Sequence, residues 1–294
     1  MQKSFDNNRA WGYNASIKNK NRLTTNRRKK MKKLFALLLS AIITVAGCVL
    51  FTGCGKNGKT LQVYTNAGFA PFEYVNTKGE VVGVDIDIMN YIGKELGYKV
   101  VINDIDFDEI LNQVQGNKLA VGAAGMSKRE DRDLVALASN VYATSVQYVI
   151  APNGTFDGSV VSLDDLFAEV DKVGVQSGTT GQFLIEDEIA AIQEDMGDET
   201  AYSNFIIEYK NAIVASEDIG STVSAVIIDE LPAKAIADAN SNLSCWKLDA
   251  EPESYVLYFN KEATELVGKV NEILDKMIKD GTIDQYVIDH SNGN

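Results

Sequence analysis

Arg132 and Asp229 are two charged residues whose surroundings suggest that they bind a ligand. Arg132 follows Ser127 at the start of a predicted helix, where a cation opposes the helix macrodipole. A bound anion would relieve that mismatch, and a carboxylate would accept two hydrogen bonds from the Arg132 guanidinium and one from Ser127. The alternative is purely structural, because Ser127 and Glu130 have the spacing of a capping box.

Asp229 ends a buried apolar strand and precedes Pro232, which is typical of the first position of a helix. It is therefore either a helix cap or an acceptor for a ligand ammonium group. The loop at 177–181 (SGTTG) joins a strand to a helix, and such a helix start also favours anions. It lacks the Gly-Lys-Ser/Thr ending of a nucleotide-binding P-loop. A carboxylate clamp and an ammonium acceptor together predict a zwitterionic amino acid as the ligand.

The elements that must position these residues alternate between strand and helix. This alternation predicts an α/β protein with parallel sheets, in which ligands bind beyond the carboxyl ends of the strands. Asp85 is predicted to be the N-cap of a helix that ends at Gly97. The predicted segments are strands at 61–65, 100–103, 121–124, 172–176, 206–209 and 224–228, and helices at 85–97, 107–115, 162–170, from 181, and 232–239.

The histidine and cysteine content excludes several classes of chemistry. His290 is the only histidine and lies in a polar segment that we expect to be frayed, and Cys245 is the only cysteine after residue 54. A Ser-His or Cys-His catalytic pair and an ordinary zinc site are therefore not expected. We predict neither a metal nor a cofactor, and we expect Cys245 to be a buried apolar residue.

Residues 31–54 have the order of a bacterial secretion signal, with a basic start, an apolar run and small residues before a cysteine. Cys48 matches the usual pattern for lipid attachment better, whereas Cys54 leads directly into a polar tether at 55–60, and we favour Cys54. An uncleaved membrane span is the alternative, since the run extended to Phe51 nearly reaches the roughly 20 apolar residues that a span requires. Either way the remaining chain is predicted to lie at the outer face of the cytoplasmic membrane.

The first segment, 1–30, is rich in Asn, Lys and Arg and has no apolar periodicity. It is either an unusually long basic leader or an upstream artefact, with translation starting at Met31. Residues 1–54 contain 11 of the 28 basic and 1 of the 41 acidic residues, which leaves 17 basic and 40 acidic residues and a net charge of −23 for the remainder. A domain this acidic repels phosphate backbones, so nucleic acid is excluded as a partner.

Seven stretches make the chain from about residue 61 to residue 286 resemble the extracellular polar-amino-acid-binding proteins that serve bacterial ABC importers. Their order and spacing are kept over nearly the whole mature chain. They are TNAGFAPFEY (65–74), GVDIDIMNYIGKELG (83–97), DFDEIL (106–111), AGMSKREDR (124–132), VGVQSGTTG (173–181), AVIIDELPA (225–233) and KDGTIDQY (279–286).

The resemblance implies a two-lobed periplasmic-binding-protein-like fold, with two hinge strands and the ligand in the cleft between the lobes. The first lobe would comprise 60–145 and 252–294, and the second 146–251. The implied partners are an amino acid, a permease in the membrane, and the membrane itself through the lipid anchor. The chain is expected to be a monomer and to have no enzymatic activity.

The same resemblance implies roles for residues that contact the common part of an amino acid. Arg132 would pair with the α-carboxylate, assisted by Ser127 and by the backbone amide of Thr180. Asp229 and the Gly125 carbonyl would accept hydrogen bonds from the α-ammonium.

Four further positions match those that contact the ligand side chain. Phe69 and Phe107 would line or sandwich it, and Asn66 and Gln176 would meet its distal end. These amides and flat walls favour a neutral polar ligand, with a cationic amino acid as the alternative because of Glu73 and the acidic surface.

Three other functions remain as alternatives. A cyclohexadienyl-dehydratase-like enzyme on the same scaffold would need an acid above the ligand ring, for which Glu73 is the candidate. A receptor's sensory lobe would need a second membrane span and a signalling domain. A structural lipoprotein would leave the spacing of Arg132, Thr180 and Asp229 unexplained.

Overall fold

The computed structural model describes residues Lys59–Asn292. The leader at 1–30, the signal at 31–54 with Cys48 and Cys54, and residues 55–58 of the tether lie outside the described residues. Within the described part, no helix is long and apolar enough to cross a membrane.

Short strands and helices alternate along the chain, as the sequence predicts. The strands of the described residues are β1 (Thr60–Thr65), β2 (Tyr74–Val75), β3 (Val81–Val82), β4 (Lys99–Asp104), β5 (Ala120–Gly122), β6 (Ala136–Ala138), β7 (Ala143–Ser145), β8 (Gln147–Pro152), β9 (Val160–Val161), β10 (Val173–Gln176), β11 (Ile206–Tyr209), β12 (Ala225–Asp229), β13 (Leu243–Leu248), β14 (Glu253–Tyr255) and β15 (Tyr258–Asn260). The α-helices are α1 (Val84–Leu96), α2 (Ile110–Gly116), α3 (Glu130–Val135), α4 (Leu163–Glu169), α5 (Thr180–Met196), α6 (Ala212–Glu217), α7 (Glu230–Ala239), α8 (Thr264–Lys279) and α9 (Thr282–Asn292), and a 3₁₀ turn spans Phe107–Glu109.

The first sheet has five strands in the order β4-β1-β5-β15-β6. β1 is parallel to β4 and β5, whereas β15 is antiparallel to both β5 and β6. Leu61 and Val63 are fully buried and alternate with half-buried residues, as expected for a strand with one face in a core. They share that core with Ile88 of α1 and Val270 of α8.

The second sheet has six strands in the order β11-β10-β12-β8-β13-β9. β10 is parallel to β11 and β12, and β8 is antiparallel to β12 and β13. Its core combines Val175 and Ile227 of the sheet with Leu166 of α4 and Ile185 of α5. Each sheet therefore has its own apolar core.

Two short antiparallel strands, β7 and β14, join the two sheets, with Ser145 opposite Glu253. The chain leaves the first sheet through β7, forms the second sheet, and returns through β14 to place β15 in the first sheet. This double crossing gives the two-lobed α/β fold with two hinge strands that the resemblance implies. The lobe boundaries at residues 145 and 252 stay predictions.

Two helix starts differ from the sequence-based predictions. Gly83, with φ of 137°, is the N-cap of α1, so the prediction that Asp85 caps this helix is wrong. Asp85 lies in the first turn of α1 and is fully buried. Its carboxylate accepts hydrogen bonds from Gly125 N–H and the Tyr142 hydroxyl and therefore does not cap the helix. α7 begins at Glu230, so Pro232 is not its first residue, although a proline in the first turn still costs no intrahelical hydrogen bond.

His290 and Cys245 also differ from expectation. His290 lies within α9, and its ring nitrogens contact the Tyr74 hydroxyl at 3.1 Å and Asp87 Oδ2 at 3.0 Å. The prediction of a frayed end is therefore wrong at this position. Cys245 on β13 is half-buried and not fully buried.

Candidate ligand-binding site

A pocket lies between the two sheets, where β1, β5, β10 and β12 end. All nine residues that the resemblance assigns to the ligand line it, as do Glu73, Ala124 and Thr179. The nine are Asn66, Phe69, Phe107, Gly125, Ser127, Arg132, Gln176, Thr180 and Asp229. The pocket is thus at the carboxyl ends of parallel strands, the usual ligand position in open α/β sheets.

The lobes are closed onto this pocket. The space among the lining side chains that can hold the centre of a water molecule is only about 20 Å³. A single buried water requires about 10–15 Å³ on that measure. A ligand of amino-acid size therefore requires the lobes to move apart before it enters.

Arg132 links the two lobes through its guanidinium group. Its side chain is 4% exposed, Nη1 donates to the Ser127 carbonyl at 2.9 Å, and Nη2 donates to the Gly178 carbonyl at 2.9 Å. The guanidinium carbon lies 5.4 Å from the centroid of the Phe107 ring. Burial lowers the pKa of Arg132. A guanidinium has five N–H donors and remains charged in proteins, so this group can bind a carboxylate as well.

Ser127 does not form the capping box that its spacing with Glu130 allows. The N-cap of α3 is Arg129, which makes no side-chain capping bond. The Ser127 hydroxyl donates instead to the carboxylate of Glu253 on hinge strand β14. The capping alternative is therefore wrong.

Gly125 holds the pocket loop in a conformation that suits glycine. Its φ is 53°, and a Cβ atom at this position would lie 2.7 Å from the Phe69 ring. Its backbone N–H donates to Asp85 Oδ2 at 2.9 Å, and the Tyr142 hydroxyl donates to Asp85 Oδ1 at 2.7 Å. Burial raises the pKa of Asp85 to about 6, while these two hydrogen bonds oppose the rise. Asp85 thus anchors the loop from behind.

Thr180 is the first residue of α5, whose N-cap is Thr179. The first backbone amides of a helix have no acceptor within the helix, so this end of α5 offers N–H groups where it lines the pocket. The Thr180 hydroxyl donates to Glu253 Oε2 at 2.7 Å. The hydroxyls of Ser127 and Thr180 thus both bind Glu253.

Asp229 is 7% exposed and stands at the N-cap position of α7, but its side chain makes no capping bond. Gln147 Nε2 donates to its Oδ1 at 2.9 Å, and the Tyr255 hydroxyl donates to its Oδ2. Burial, followed by the nearby Glu253 carboxylate, raises the pKa of Asp229 to about 7, against the lowering effect of these hydrogen bonds. Asp229 is therefore not a simple helix cap.

Asn66 and Gln176 meet across the cleft, where Gln176 Nε2 donates to Asn66 Oδ1 at 2.9 Å. Backbone carbonyls hold both amides, since Asn66 Nδ2 donates to Ile105 at 2.7 Å and Gln176 Nε2 donates to Lys210 at 3.1 Å. This pair closes one side of the pocket by a direct contact between the lobes.

Glu73 brings an additional carboxyl group to the pocket, and its side chain is 1% exposed. Its Oε2 atom is buried and has no hydrogen-bond partner in the described part of the chain. Burial, together with Asp85, Asp229 and Asp104, raises the pKa of Glu73 well above its usual value. Nothing in the local sequence pattern separates Glu73 from a surface acid, so the sequence indicates a role for it only under the alternative functions.

Sequence reasoning missed the polar residues behind the pocket, above all Glu253, Gln147 and Tyr255. Glu253 and Tyr255 belong to the three-residue hinge strand β14, which is too short to show a hydrophobic period, and Gln147 is the polar first residue of β8 just after hinge strand β7. Within Lys59–Asn292, no group of His, Cys, Asp and Glu side chains has the arrangement of a metal site.

Residues 61–290 match the family of bacterial extracellular solute-binding proteins, family 3. This chain belongs to that family. The match covers both sheets and both hinge strands, so the two-lobed fold is shown independently of the site residues.

Curated relatives of this family 3 protein cover most of its length. It is 27% identical over 268 residues to the arginine-binding extracellular protein ArtP of Bacillus subtilis, which spans 87% of this chain and 96% of the relative. It is also 27% identical over 264 residues to a probable histidine-binding protein of Neisseria gonorrhoeae, spanning 87% of this chain and 94% of the relative.

Solved structures show the same fold. The amino-acid ABC transporter substrate-binding protein AbpA of Streptococcus pneumoniae, bound to L-arginine, superposes with a TM-score of 0.69 at 27% identity, covering 79% of this family 3 protein and 94% of that chain. An ancestral arginine-binding protein bound to glutamine gives a TM-score of 0.68 at 31% identity, covering 80% of this chain and 98% of the other.

Proposed function

We propose that this protein binds an extracellular amino acid between its lobes and delivers it to an ABC permease. The observation that carries the proposal is the placement of Arg132 and Asp229, which come from different lobes and line one pocket. Opposite charges on opposite walls suit a zwitterion. A ligand that contacts both lobes stabilises the closed state, and the permease would respond to closure.

The proposed contacts follow from the donors and acceptors at the pocket. The ligand carboxylate would bind the Arg132 guanidinium and the backbone amides of Ser127 and Thr180, because both hydroxyls are directed to Glu253. The ligand ammonium would bind Asp229 and the Gly125 carbonyl. Charge-assisted hydrogen bonds contribute roughly 1.5–3 kcal/mol each, so four or five support about micromolar affinity after the cost of immobilisation.

The ligand side chain is proposed to be cationic, and this differs from the neutral side chain that the sequence favours. Glu73 contributes a buried carboxyl oxygen without a partner, and a guanidinium or ammonium group would satisfy it. Phe69 and Phe107 would contact the aliphatic part of the side chain. The arginine- and histidine-binding relatives support the same choice.

The test is a thermal-shift screen of the purified protein against the common amino acids, followed by calorimetry. A ligand at 100 times its Kd stabilises the folded state by about 2.7 kcal/mol, which raises the melting temperature. Arginine or lysine should give the largest shift, because a cationic side chain is proposed to bind most tightly. Glu73→Gln should weaken arginine binding more than glutamine binding. A large shift with glutamine alone would restore the neutral ligand, and no shift with any amino acid would overturn the proposed function.

A second candidate function rests on Glu73 alone. A buried carboxyl group with a raised pKa can serve as a general acid. A cyclohexadienyl-dehydratase-like enzyme would use such an acid above the ligand ring. Turnover of prephenate or arogenate that Glu73→Gln abolishes would favour this enzyme over the binding protein.

The lobes are proposed to comprise 60–145 with 252–294, and 146–251. The protein is proposed to act as a monomer at the outer face of the cytoplasmic membrane, held by a lipid on Cys54 or Cys48.

A further inference from the structure

Glu253 accepts hydrogen bonds from three side chains that belong to different parts of the fold. Its Oε2 accepts from the Ser127 hydroxyl and from the Thr180 hydroxyl at 2.7 Å. Its Oε1 accepts from Gln147 Nε2 at 2.6 Å. One carboxylate therefore ties four segments together.

The position of Glu253 in the fold makes these contacts unusual. It begins hinge strand β14, while Ser127 precedes α3 of the first lobe and Thr180 begins α5 of the second. Gln147 begins β8, where the chain enters the second sheet after the other hinge strand. Opening the cleft separates α3 from α5, so the Ser127 and Thr180 contacts are made together only when the lobes are closed.

Among the described residues that line the pocket, Glu253 is absent, so it makes these contacts from outside the lining. It also influences the pocket indirectly, because Gln147 Nε2 donates both to Glu253 and to Asp229. The hydroxyls that it holds belong to the residues whose backbone amides are proposed to bind the ligand carboxylate. Glu253 is thus placed to align the two walls of the carboxylate site.

We infer that Glu253 is a positioning residue that bridges the lobes through Ser127 and Thr180, favours the closed state, and thereby raises ligand affinity without contacting the ligand. The affinity part of this inference rests on the proposed amino-acid binding, whereas the closure part does not. A ligand that binds only the closed state gains apparent affinity in proportion to the population of that state.

Hydrogen–deuterium exchange of the ligand-free protein tests the closure part directly. Glu253→Ala should increase exchange in peptides covering 124–132 and 176–182, and leave the sheet peptides at 61–65 and 225–228 unchanged. Saturating arginine should restore the exchange of the wild type. Glu251→Ala is the matched control, since it removes an exposed acid next to the same hinge strand.

Calorimetry with arginine at about pH 8.5, where the Asp229 carboxyl is ionised with or without Glu253, tests the affinity part. Glu253→Ala should weaken binding at least tenfold, whereas Glu251→Ala should not. Thr180→Val removes one of the three donors and keeps the backbone amide, so it should give a smaller change in the same direction, and Thr180→Ser should restore the wild-type behaviour. This pair keeps the inference testable if Glu253→Ala does not fold.

Exchange and affinity equal to those of Glu251→Ala would overturn the inference, as would tighter binding by Glu253→Ala. Exchange of Glu253→Ala that rises throughout both cores and stays high with arginine would mean that Glu253 has a general structural role, and this result would also overturn the inference. If the wild-type protein binds no amino acid, the proposed function fails, and the ligand-free exchange still decides the role of Glu253.

Discussion

Arg132 combines a structural role with free capacity for a ligand. Two of its donors hold backbone carbonyls of Ser127 and Gly178, one in each lobe, and the rest of the guanidinium can meet a carboxylate. Because the side chain is almost fully buried, its charge is not screened by solvent in the closed state. Arg132 is therefore a buried group that contacts in both lobes hold in one orientation, and its role as a carboxylate clamp stays a prediction.

Arg132→Ala should weaken amino-acid binding by roughly 3–5 kcal/mol, since it leaves the ligand carboxylate desolvated without its partner. Calorimetry measures the loss, and circular dichroism checks that the fold persists. Arg132→Lys is the matched variant and should lose less, because it keeps the charge and loses the bidentate geometry. Near-wild-type affinity in Arg132→Ala would contradict the assignment.

Asp229 should make binding depend on pH. Its pKa of about 7 in the ligand-free protein lies above the ordinary value of 3.8, so below pH 7 a ligand ammonium must displace a proton. The binding free energy should therefore become more favourable by at most about 1.4 kcal/mol per pH unit up to about pH 7, and the affinity should level off above that pH. Between pH 3.8 and about pH 7, Asp229 holds more proton in the folded state than in the unfolded chain. The free energy of unfolding of the ligand-free protein should therefore fall as the pH rises through this range.

Calorimetry at several pH values checks this, and Asp229→Asn is the control. The variant removes the charge that faces the ammonium, so it should lose roughly 2 kcal/mol of affinity and the part of the pH dependence that the Asp229 proton causes. It should also discriminate poorly against the des-amino analogue. A wild-type affinity that does not change between about pH 5.5 and 8 would rule out the proposed role of the Asp229 proton.

The sequence predicted nine ligand residues, and all nine line the pocket: its residue pattern pointed to Ser127, Arg132 and Asp229, and the family resemblance supplied most of the others. It was insufficient for the hydrogen bonds behind them. Ser127 and Asp229 were compatible with capping by spacing alone, and only the three-dimensional arrangement shows that Glu253 and Tyr255 take those side chains. Contacts between residues distant in sequence leave no local pattern.

At the scale of elements, strand β11 was predicted at its observed bounds, and β1, β10 and β12 to within one residue at each end. The resemblance implies two hinge strands, but the local sequence pattern did not predict strands at β7 and β14. Each has three residues and forms a two-stranded ladder with the other, so neither shows the alternation of a sheet with one buried face.

Helix α1 supports the pocket through Asp85, and this support can be tested. Asp85→Ala leaves the Gly125 N–H and the Tyr142 hydroxyl buried without their acceptor, so it should lower the free energy of unfolding by about 1–3 kcal/mol. The increase in that free energy produced by saturating ligand should also shrink, because the loop that carries Gly125 is no longer anchored. Denaturant unfolding with and without amino acid measures both effects.

Glu95→Ala is the matched control for this change. Glu95 lies on the same helix and is exposed, so its replacement should alter stability by less than about 0.5 kcal/mol. Equal effects of the two substitutions would mean that Asp85 does not support the loop.

At the scale of the whole molecule, the proposed lipid anchor would determine where the two lobes work. Cys54→Ser should abolish incorporation of labelled palmitate and release the protein from membranes, whereas Cys48→Ser should leave both unchanged. The expectation rests on the polar residues that follow Cys54, which suit a tether better than the apolar residues that follow Cys48. Loss of label only in Cys48→Ser would move the anchor to that cysteine.

The position of β15 has a consequence for the order in which the protein folds. β15 pairs with β5 and β6 inside the first sheet, yet the chain reaches it only after all strands of the second sheet. During secretion, the second lobe can therefore complete its core as one continuous stretch, while β6 still lacks its partner. Closing the long loop to β15 is an entropically costly step and should come last. In pulse-labelled refolding, the amides of β10 and β12 should become protected before those of β6, which makes the lobe that emerges second the first to be finished.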